Sequence, residues 1–358
     1  MIRSTRKVKK FTALLLSVSL ITVFLYGSST QCVWSDIEKI VAVGDIHGDY
    51  KNFVKILKGT KLIDEQLHWT GGKTHLVQTG DIMDRGPDAK KVFDLLMKLE
   101  EEAEKTGGKI HVLIGNHEEM NITGIAFDYA GYVTVEQFVS FLPEKYRKKK
   151  KKEFTEKTGE NEIDQDKYLD NSLKKYWLEL MKEKSARKKY VDNFNDKYGK
   201  WILSHNAVIK INHVIFVHGG ISRQFSTWKI EDINEQLQEE LCFLQKAAKR
   251  PRSFSGSYNP KIVYKSEGPL WYRGLALEDE QNLKQEVDKI LENLGAKYMV
   301  IAHTPRAGSR IVSEEYMSRF DGRIWIIDTG ISDYYGGFLS ALIIENENFT
   351  LWRPEHEK

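Results

Sequence analysis

Cysteine is scarce. Two residues, Cys32 and Cys242, occur in 358, too few for a disulfide framework and at a spacing that matches no metal-binding motif. Charge of one sign is not in excess either. Lys and Arg number 54 against 51 Asp and Glu, a net charge of +3, so the chain as a whole gives no electrostatic reason to expect nucleic acid as a partner. No internal repeat is visible, which argues against a solenoid or array. The pronounced apolar run, "FTALLLSVSLITVFLY", has sixteen residues, short of the roughly 20 that span a bilayer comfortably.

What is present is core material. Hydrophobic residues make up 41% of the chain, with 16 Phe, 16 Tyr and 8 Trp, enough for one large or two smaller domains. The N-terminus has three parts: "MIRSTRKVKK" with five basic residues and no acid, then the apolar run, then the small residues of "GSSTQC". That is the layout of a secretory signal. Residues 1–31 are therefore expected to be a signal peptide and the chain to be exported, to the periplasm or medium if the host is bacterial. The alternative is a membrane anchor, uncleaved or lipidated at Cys32, although Gln31 is a poor residue before a lipidated cysteine. Membrane contact is expected through this segment alone.

From residue 36 the pattern alternates. "IEKIVAVGDIHGD" is a buried strand and a loop, and "YKNFVKILKG" puts Tyr50, Phe53, Val54 and Leu57 at helical spacing before Gly59. "KTHLVQTGDIMDRG" is a second strand and loop. Pro87 then opens a helix with Val92, Phe93, Leu96 and Leu99 on one face, and "KIHVLIGNHEEM" is a third strand. Strand–helix–strand–helix–strand implies right-handed crossovers, a parallel sheet and the α/β class. Residues of about 121–200 read as a lysine-rich helical insertion, with Leu169, Leu173, Trp177 and Leu180 on one face. Strands resume at "HVIFVHGGIS", "KYMVIAHTP", "RIWIIDTG" and "GFLSALIIENENFTLW", with a helix and a polar loop over 229–268.

The strand ends share a signature. Gly44-Asp45-Ile46-His47-Gly48, Gly80-Asp81 with Asp84-Arg85-Gly86, and Gly115-Asn116-His117-Glu118 are glycine turns followed at once by Asp or Asn; His218-Gly219-Gly220 and His303 end later strands. Carboxyl ends of strands form the crevice of an α/β sheet, so Asp45, His47, Asp81, Asn116, His218 and His303 are able to converge. Such oxygen and imidazole donors suit Mn, Fe or Zn. Six are too many for one catalytic ion with an open position and fit two ions about 3.5–4 Å apart, bridged by a carboxylate such as Asp81. Arg85 then sits where a phosphate oxygen arrives, and Asp84 is placed to orient His117 as a proton donor. Any one Gly-Asp pair is usually only a turn. His68, His75, His111, His213 and His356 read as packed or solvated, His205 as structural, and the lysine run 148–152 as a solvated helix face. The conjunction of four spaced motifs is what carries the chemistry.

GDIHG, GDIMDRG, GNHE, VHGG and AHT, in that order over residues 44–304, resemble the phosphoprotein phosphatase family of metallophosphoesterases, and "GPLWYRG", "DTGIS" and "YYGGFLSALII" resemble its Shewanella-like branch. The resemblance implies a calcineurin-like fold over residues 36–358, a β-sandwich flanked by helices. It implies one metal ion on Asp45, His47 and Asp81 and a second on Asp81, Asn116, His218 and His303. It gives Asp84 and His117 the acid dyad, Arg85 and Arg273 the phosphate, with Asn116 also near it, and Tyr334 an active-site tyrosine's place. The implied reaction is phosphomonoester hydrolysis by in-line attack of a metal-bridging hydroxide. Ser/Thr-specific members carry Arg before GNHE and "SAPNYC" near the C-terminus. Ile114 and "DTGISDYY" stand there here, which counts against Ser/Thr specificity; the resemblance to the Shewanella-like branch implies phosphotyrosine in a protein or peptide, or a small phosphomonoester, as the substrate. The rivals are a dinucleoside polyphosphate hydrolase, which shares GDxHG but lacks the Asp84 equivalent, a phosphodiesterase, and a non-catalytic binding protein on the same fold.

The N-terminal layout makes a direct prediction. Sequencing of the mature protein from its host should begin between about residues 28 and 33; an intact Met1 on soluble cytoplasmic protein would refute export.

Overall fold

A computed structural model describes residues 31–159, 171–249, 259–306 and 314–354. Residues 1–30 of the expected signal segment, and Leu169 of the expected helical face, lie outside these residues. The strands are β1 Val33–Trp34, β2 Lys39–Val43, β3 His75–Gln78, β4 Lys109–Val112, β5 Val208–Ile211, β6 Val214–Val217, β7 Tyr298–Ile301, β8 Ser318–Arg319, β9 Ile324–Ile326, β10 Ala341–Glu345 and β11 Asn348–Trp352. They form two sheets, one in the order β1-β5-β6-β7-β9-β8 and one in the order β11-β10-β2-β3-β4. Each contains a parallel trio. In one sheet β2, β3 and β4 run together; in the other, β6, β7 and β9 do.

The alternation of β2 shows how the layers are built. Ile40 and Ala42 belong to a core shared with Val77 and Leu342 of their own sheet and with Ile209, Phe216, Val300 and Trp325 of the other. The intervening Val41 and Val43 belong to a larger cluster that includes Phe53, Val92, Phe93 and Leu96 of the helices. Because neighbouring strand residues point to opposite faces, one face of the sheet builds the seam between sheets and the other receives helices. This is the β-sandwich flanked by helices that the sequence resemblance implies.

Helix α1 covers Tyr50–Gly59 and α2 Ala89–Glu104. Asp49 caps α1, its side chain accepting from the Asn52 backbone N–H. Helix α3, Asn116–Thr123, opens at the end of the β4 loop. Four helices follow: α4 Val135–Phe141, α5 Glu144–Thr158, α6 Asn171–Lys182 and α7 Lys184–Phe194. They dock through an aromatic seam in which the Phe93 ring of α2 meets Phe141, Phe194, Tyr198 and Trp201 edge-on or tilted. Leu173, Trp177 and Leu180 are the buried residues of α6. In α5 only Phe154 is buried, and Lys148, Lys149, Lys150 and Lys152 pair with acids of the same helix. Among the described residues, no helix is long and apolar enough to cross a membrane.

Two histidines set aside in the sequence are packed against each other. His111 Nε2 and His75 Nδ1 lie 2.9 Å apart, both buried, and Trp34 meets the His111 ring edge-on. Burial, then the Lys109 charge, lowers His75 to about 4. Burial, then the charges of His75, Lys109 and His205, hold His111 well below the ordinary histidine value. Unfolded histidines titrate near about 6.5. As pH falls from there toward 4, the unfolded chain takes up protons that the folded chain refuses, so stability is lost across that window. Denaturant unfolding of a His75→Val, His111→Val double variant should show a flatter pH dependence between about 6.5 and 4.5. An unchanged slope would mean that other groups govern the acid transition.

Candidate metal centre and active site

Each parallel trio ends at the same place. After β2 come Asp45 and His47, after β3 Asp81, after β4 Asn116; after β6 comes His218, after β7 His303, after β9 Asp328. All seven are buried. The turns that carry them touch. Gly80, at φ 96°, leaves only 2.6 Å between an added Cβ and the Gly115 backbone nitrogen, and a Cβ on Gly115 itself would fall 2.3 Å from Asp81 Oδ1. Side chains at either position would drive the β3 and β4 loops apart.

Hydrogen bonding fixes which ring atoms face the centre. His218 Nδ1 lies 2.9 Å from the Thr79 carbonyl oxygen and His47 Nδ1 lies 3.0 Å from that of Met83. A carbonyl only accepts, so both rings place their N–H there and turn a bare Nε2 inward. Around His218 Nε2 stand Asn116 Oδ1 at 3.0 Å, His303 Nδ1 at 3.1 Å and Asp81 Oδ1 at 3.4 Å. Around His47 Nε2 stand Asp45 Oδ2 and Asp81 Oδ2, each at 3.9 Å. The bare nitrogens of His218 and His47 thus face an amide oxygen and carboxylate oxygens, acceptors against acceptors, and Asp81 offers one oxygen to each group. His303 Nε2 and Asp328 Oδ2 are buried with no hydrogen-bond partner among the described residues.

The carboxylates crowd one another as well. Burial, then the charges of Asp328 and Asp81, hold Asp45 far above the usual carboxylate range, and burial raises Asp328 to about 6. Converging acceptors and mutually repelling buried acids are what cations relieve, and donors spaced 3–4 Å apart fit ligands at roughly 2.0–2.2 Å from a shared ion. The residues present therefore fit metal ions. The Nδ1–H donated to a carbonyl in each of His47 and His218 is the outer support that ligating histidines use.

Beside this centre, His117 Nδ1 lies 2.7 Å from Asp84 Oδ2, and its Nε2 faces Asp81 Oδ2 at 3.8 Å. One atom each of His47, Asp81 and His117 falls within a metal-sized group, as for Asp81, His218 and His303. Burial alone would lower the His117 imidazole, but the Asp81 charge and the Asp84 hydrogen bond and charge outweigh it, and the pKa is raised.

The arginines and tyrosines form the mouth. The Arg85 guanidinium lies 3.8 Å over the Tyr132 ring and 4.9 Å from the centre of the Tyr334 ring, with its Nη1 3.4 Å from the Tyr334 hydroxyl. Arg273 is exposed, and its Nη1 donates to the His303 carbonyl at 2.6 Å and to Thr304 Oγ1 at 3.1 Å. Tyr132 stacks on His117 and on Tyr129. All eleven residues singled out in the sequence, including Tyr334, are thus in or around one centre.

Several participants were not singled out. Asp328 ends the β9 run in "IWIIDTG", where the glycine follows the acid instead of preceding it. Glu118 accepts from the backbone N–H groups of Asp81, Gly115 and Ile82 at 2.8, 2.9 and 2.9 Å, tying the β3 and β4 loops together; burial, then the Asp81 charge, raises it to about 7. Tyr335 packs its ring 5.1 Å from that of His47. Gln137 and Asn121 donate to Asp84, and no local spacing announces either.

Known proteins resemble the chain in sequence and in fold. The model of the calcineurin-like phosphoesterase family matches residues 38–307. An uncharacterized protein of Schizosaccharomyces pombe is 30% identical over 314 residues, 86% of this chain and 78% of that one. Shewanella-like protein phosphatase 1 of Plasmodium berghei is 28% identical over 316 residues, 86% of this chain and 70% of that one. A solved cold-active protein-tyrosine phosphatase of a psychrophilic Shewanella species superposes with a TM-score of 0.61 at 23% identity, covering 92% of this chain and 85% of that chain, a likeness of fold. The chain belongs to the calcineurin-like phosphoesterase family, with Shewanella-like protein phosphatases among its relatives.

Proposed function

We propose that this chain is a metal-dependent phosphomonoesterase acting on phosphorylated protein, with phosphotyrosine favoured over phosphoserine and phosphothreonine. The observation that carries the reading is the convergence of bare acceptors from two parallel trios on Asp81, directly beside the buried His117–Asp84 pair. Asp45, His47 and Asp81 would hold one ion, and Asp81, Asn116, His218 and His303 the other. Two ions of the Mn, Fe or Zn kind would there supply an activated water and charge to neutralise phosphoryl oxygens.

The chain's own groups do the rest. Arg85 and Arg273 bind phosphoryl oxygens through guanidinium N–H groups. Asp84 keeps the His117 Nδ1–H in place, and His117 Nε2 delivers a proton to the leaving oxygen. Asp328, against Asp45, adds negative charge that favours the ions. The preference for an aryl ester is supported by the aromatic mouth: Tyr129 and Tyr334 are exposed and flank the approach with Tyr132. A phenyl ring gains contact there that a serine side chain does not. Retention of all six proposed ligands supports catalysis over a binding protein on the same fold. The relatives named as protein phosphatases support a protein substrate.

The test is a side-by-side assay of the metal-loaded enzyme. Phosphotyrosine peptide should exceed phosphoserine peptide by about tenfold or more in kcat/KM, a preference within reach of one aromatic contact set, with diesters slower still. A diester turned over as fast as the monoesters, or phosphoserine preferred, refutes the reading. His117→Asn adds a second arm. Tyrosine leaves as an oxide of pKa about 10 and nitrophenol as one of about 7, so the variant should lose more on phosphotyrosine than on nitrophenyl phosphate. Arg273→Ala should depress both together, because it contacts the shared phosphoryl group.

A further inference from the structure

Asp84 is held by more than the loop that carries it. It is fully buried, and each of its polar groups is engaged. Gln137 clamps it with both ends of one amide: Oε1 accepts the Asp84 backbone N–H at 2.7 Å, and Nε2 donates to Oδ1 at 2.6 Å. Asn121 Nδ2 donates to Oδ2 at 2.9 Å, the oxygen that also faces His117 Nδ1 at 2.7 Å. Tyr190 closes the ring. Its hydroxyl accepts from Gln137 Nε2 at 2.9 Å and donates to Asn121 Oδ1 at 2.7 Å. The second Asn121 amide hydrogen reaches the His117 carbonyl, also at 2.9 Å. Each amide orientation is dictated by the next partner, so the network has one self-consistent arrangement.

The clamp comes from the helical insertion. Gln137 lies on α4 and Tyr190 on α7, and Tyr190 is caged by Phe127, Phe138, Phe141 and Phe194. Such a cage excludes water that would otherwise compete for Asp84. The clamp also fixes a backbone that resists its own conformation, since Asp84 has φ 68°, uncommon for a residue with a Cβ. An amide that bonds both the N–H and the carboxylate of one residue selects that conformer over extended ones.

We propose that Gln137 and Tyr190 are positioning residues for proton transfer, through which the helical insertion sets the geometry of the Asp84–His117 pair. The inference rests on the reading of His117 as proton donor. A misaligned Asp84 leaves the His117 ring free to turn, and the loss then grows with the basicity of the leaving oxygen. The phosphoryl-binding arginines and the metal ligands are not in the network.

The test uses the full metal-loaded chain carrying Tyr190→Phe or Gln137→Met, each alone and combined with His117→Asn. Both changes keep side-chain volume nearly constant, and folding and metal content are measured first. Each single variant should lose about tenfold in kcat on phosphotyrosine peptide but only about twofold on nitrophenyl phosphate, with KM little changed. In the His117→Asn background neither should lower the phosphotyrosine-to-nitrophenyl ratio further, because the group they act through is gone. Equal losses on both substrates, a lowered melting temperature with the ratio unchanged, lost metal, or full additivity with His117→Asn each overturns the positioning role. The two failures are distinguishable. If His117→Asn shifts the ratio and the clamp variants do not, the donor stands and the clamp falls. If His117→Asn leaves the ratio unchanged, the donor reading falls and the inference falls with it.

Discussion

The centre depends on one buried negative charge. Asp81 sits where three strand-end loops meet, and its backbone and side chain are both occupied. Its carbonyl accepts from the Ile46 and His47 N–H groups at 3.0 and 2.9 Å, its N–H donates to Glu118, and its Oδ1 accepts from the His117 N–H at 3.0 Å. Facing histidines hold its carboxyl well below the usual range against the opposing effect of burial. Moving Asp81 therefore moves the β2 loop, the start of α3 and both proposed metal positions together. A dimetal site needs that coupling, because a shared oxygen ligand leaves little tolerance in the separation of two ions.

The same constraint explains where backbone strain collects. Of the non-glycine residues with positive φ, five belong to the centre: His47 at 47°, Asp81 at 55°, His303 at 64°, Asp84 at 68° and Arg85 at 69°. Each costs of order 1–3 kcal/mol outside a structure that enforces it. Each is enforced here. The His47 N–H is bound by the Asp81 carbonyl and the Arg85 N–H by the Tyr132 carbonyl; Gln137 holds Asp84; the His303 carbonyl is held by Arg273. Left-handed turns let the chain reverse within a residue or two of a strand end, which brings side chains from consecutive loop positions into one small volume. Asn and Asp adopt that region most readily, a reason beyond ligation for acids at these turns.

This is also why the centre was legible in the sequence and its supports were not. The turns that bear the proposed ligands after β2, β3 and β4 repeat a local signature, an apolar run, a glycine and a polar donor, and locality is what a single sequence displays. Asp45, Asp81 and Asn116 announce themselves in that way. Asp328 does not: its glycine, Gly330, follows the acid instead of preceding it, so the local pattern passes it over. The parallel order of β2, β3 and β4 followed from alternating strands and helices. The division of the strands into two sheets did not, because pairing across the seam is set by packing between residues such as Ile40 and Phe216, far apart in the chain. Gln137 and Tyr190 are the extreme case. An amide and a phenol on amphipathic helices read as ordinary surface and core residues, and their meaning depends on partners 53 positions away for Gln137 and 53 and 69 positions away for Tyr190. Tyr190 is indeed core by its ring; only its hydroxyl does something else.

On the proposed reading, the two halves of the reaction are held by different parts of the molecule. Phosphoryl oxygens and attacking water belong to strand-end loops of the sandwich, which hydrogen-bond ladders make stiff. The leaving oxygen belongs to His117, whose partner Asp84 is gripped by the insertion. Tyr129 and Tyr132 lie between α3 and α4, so the aromatic approach to the leaving group begins in the same segment as the clamp. The seam that docks this segment is apolar and aromatic, from Phe93 through Phe141 and Phe194 to Tyr198 and Trp201. Such contacts are less directional than the carboxylate network above them, so small shifts of the helices along the seam cost less than distortion of the network. The network transmits to Asp84 whatever position the helices adopt. Both functions share Asp81 and the start of α3, but leaving-group protonation depends in addition on how the helices seat on α2.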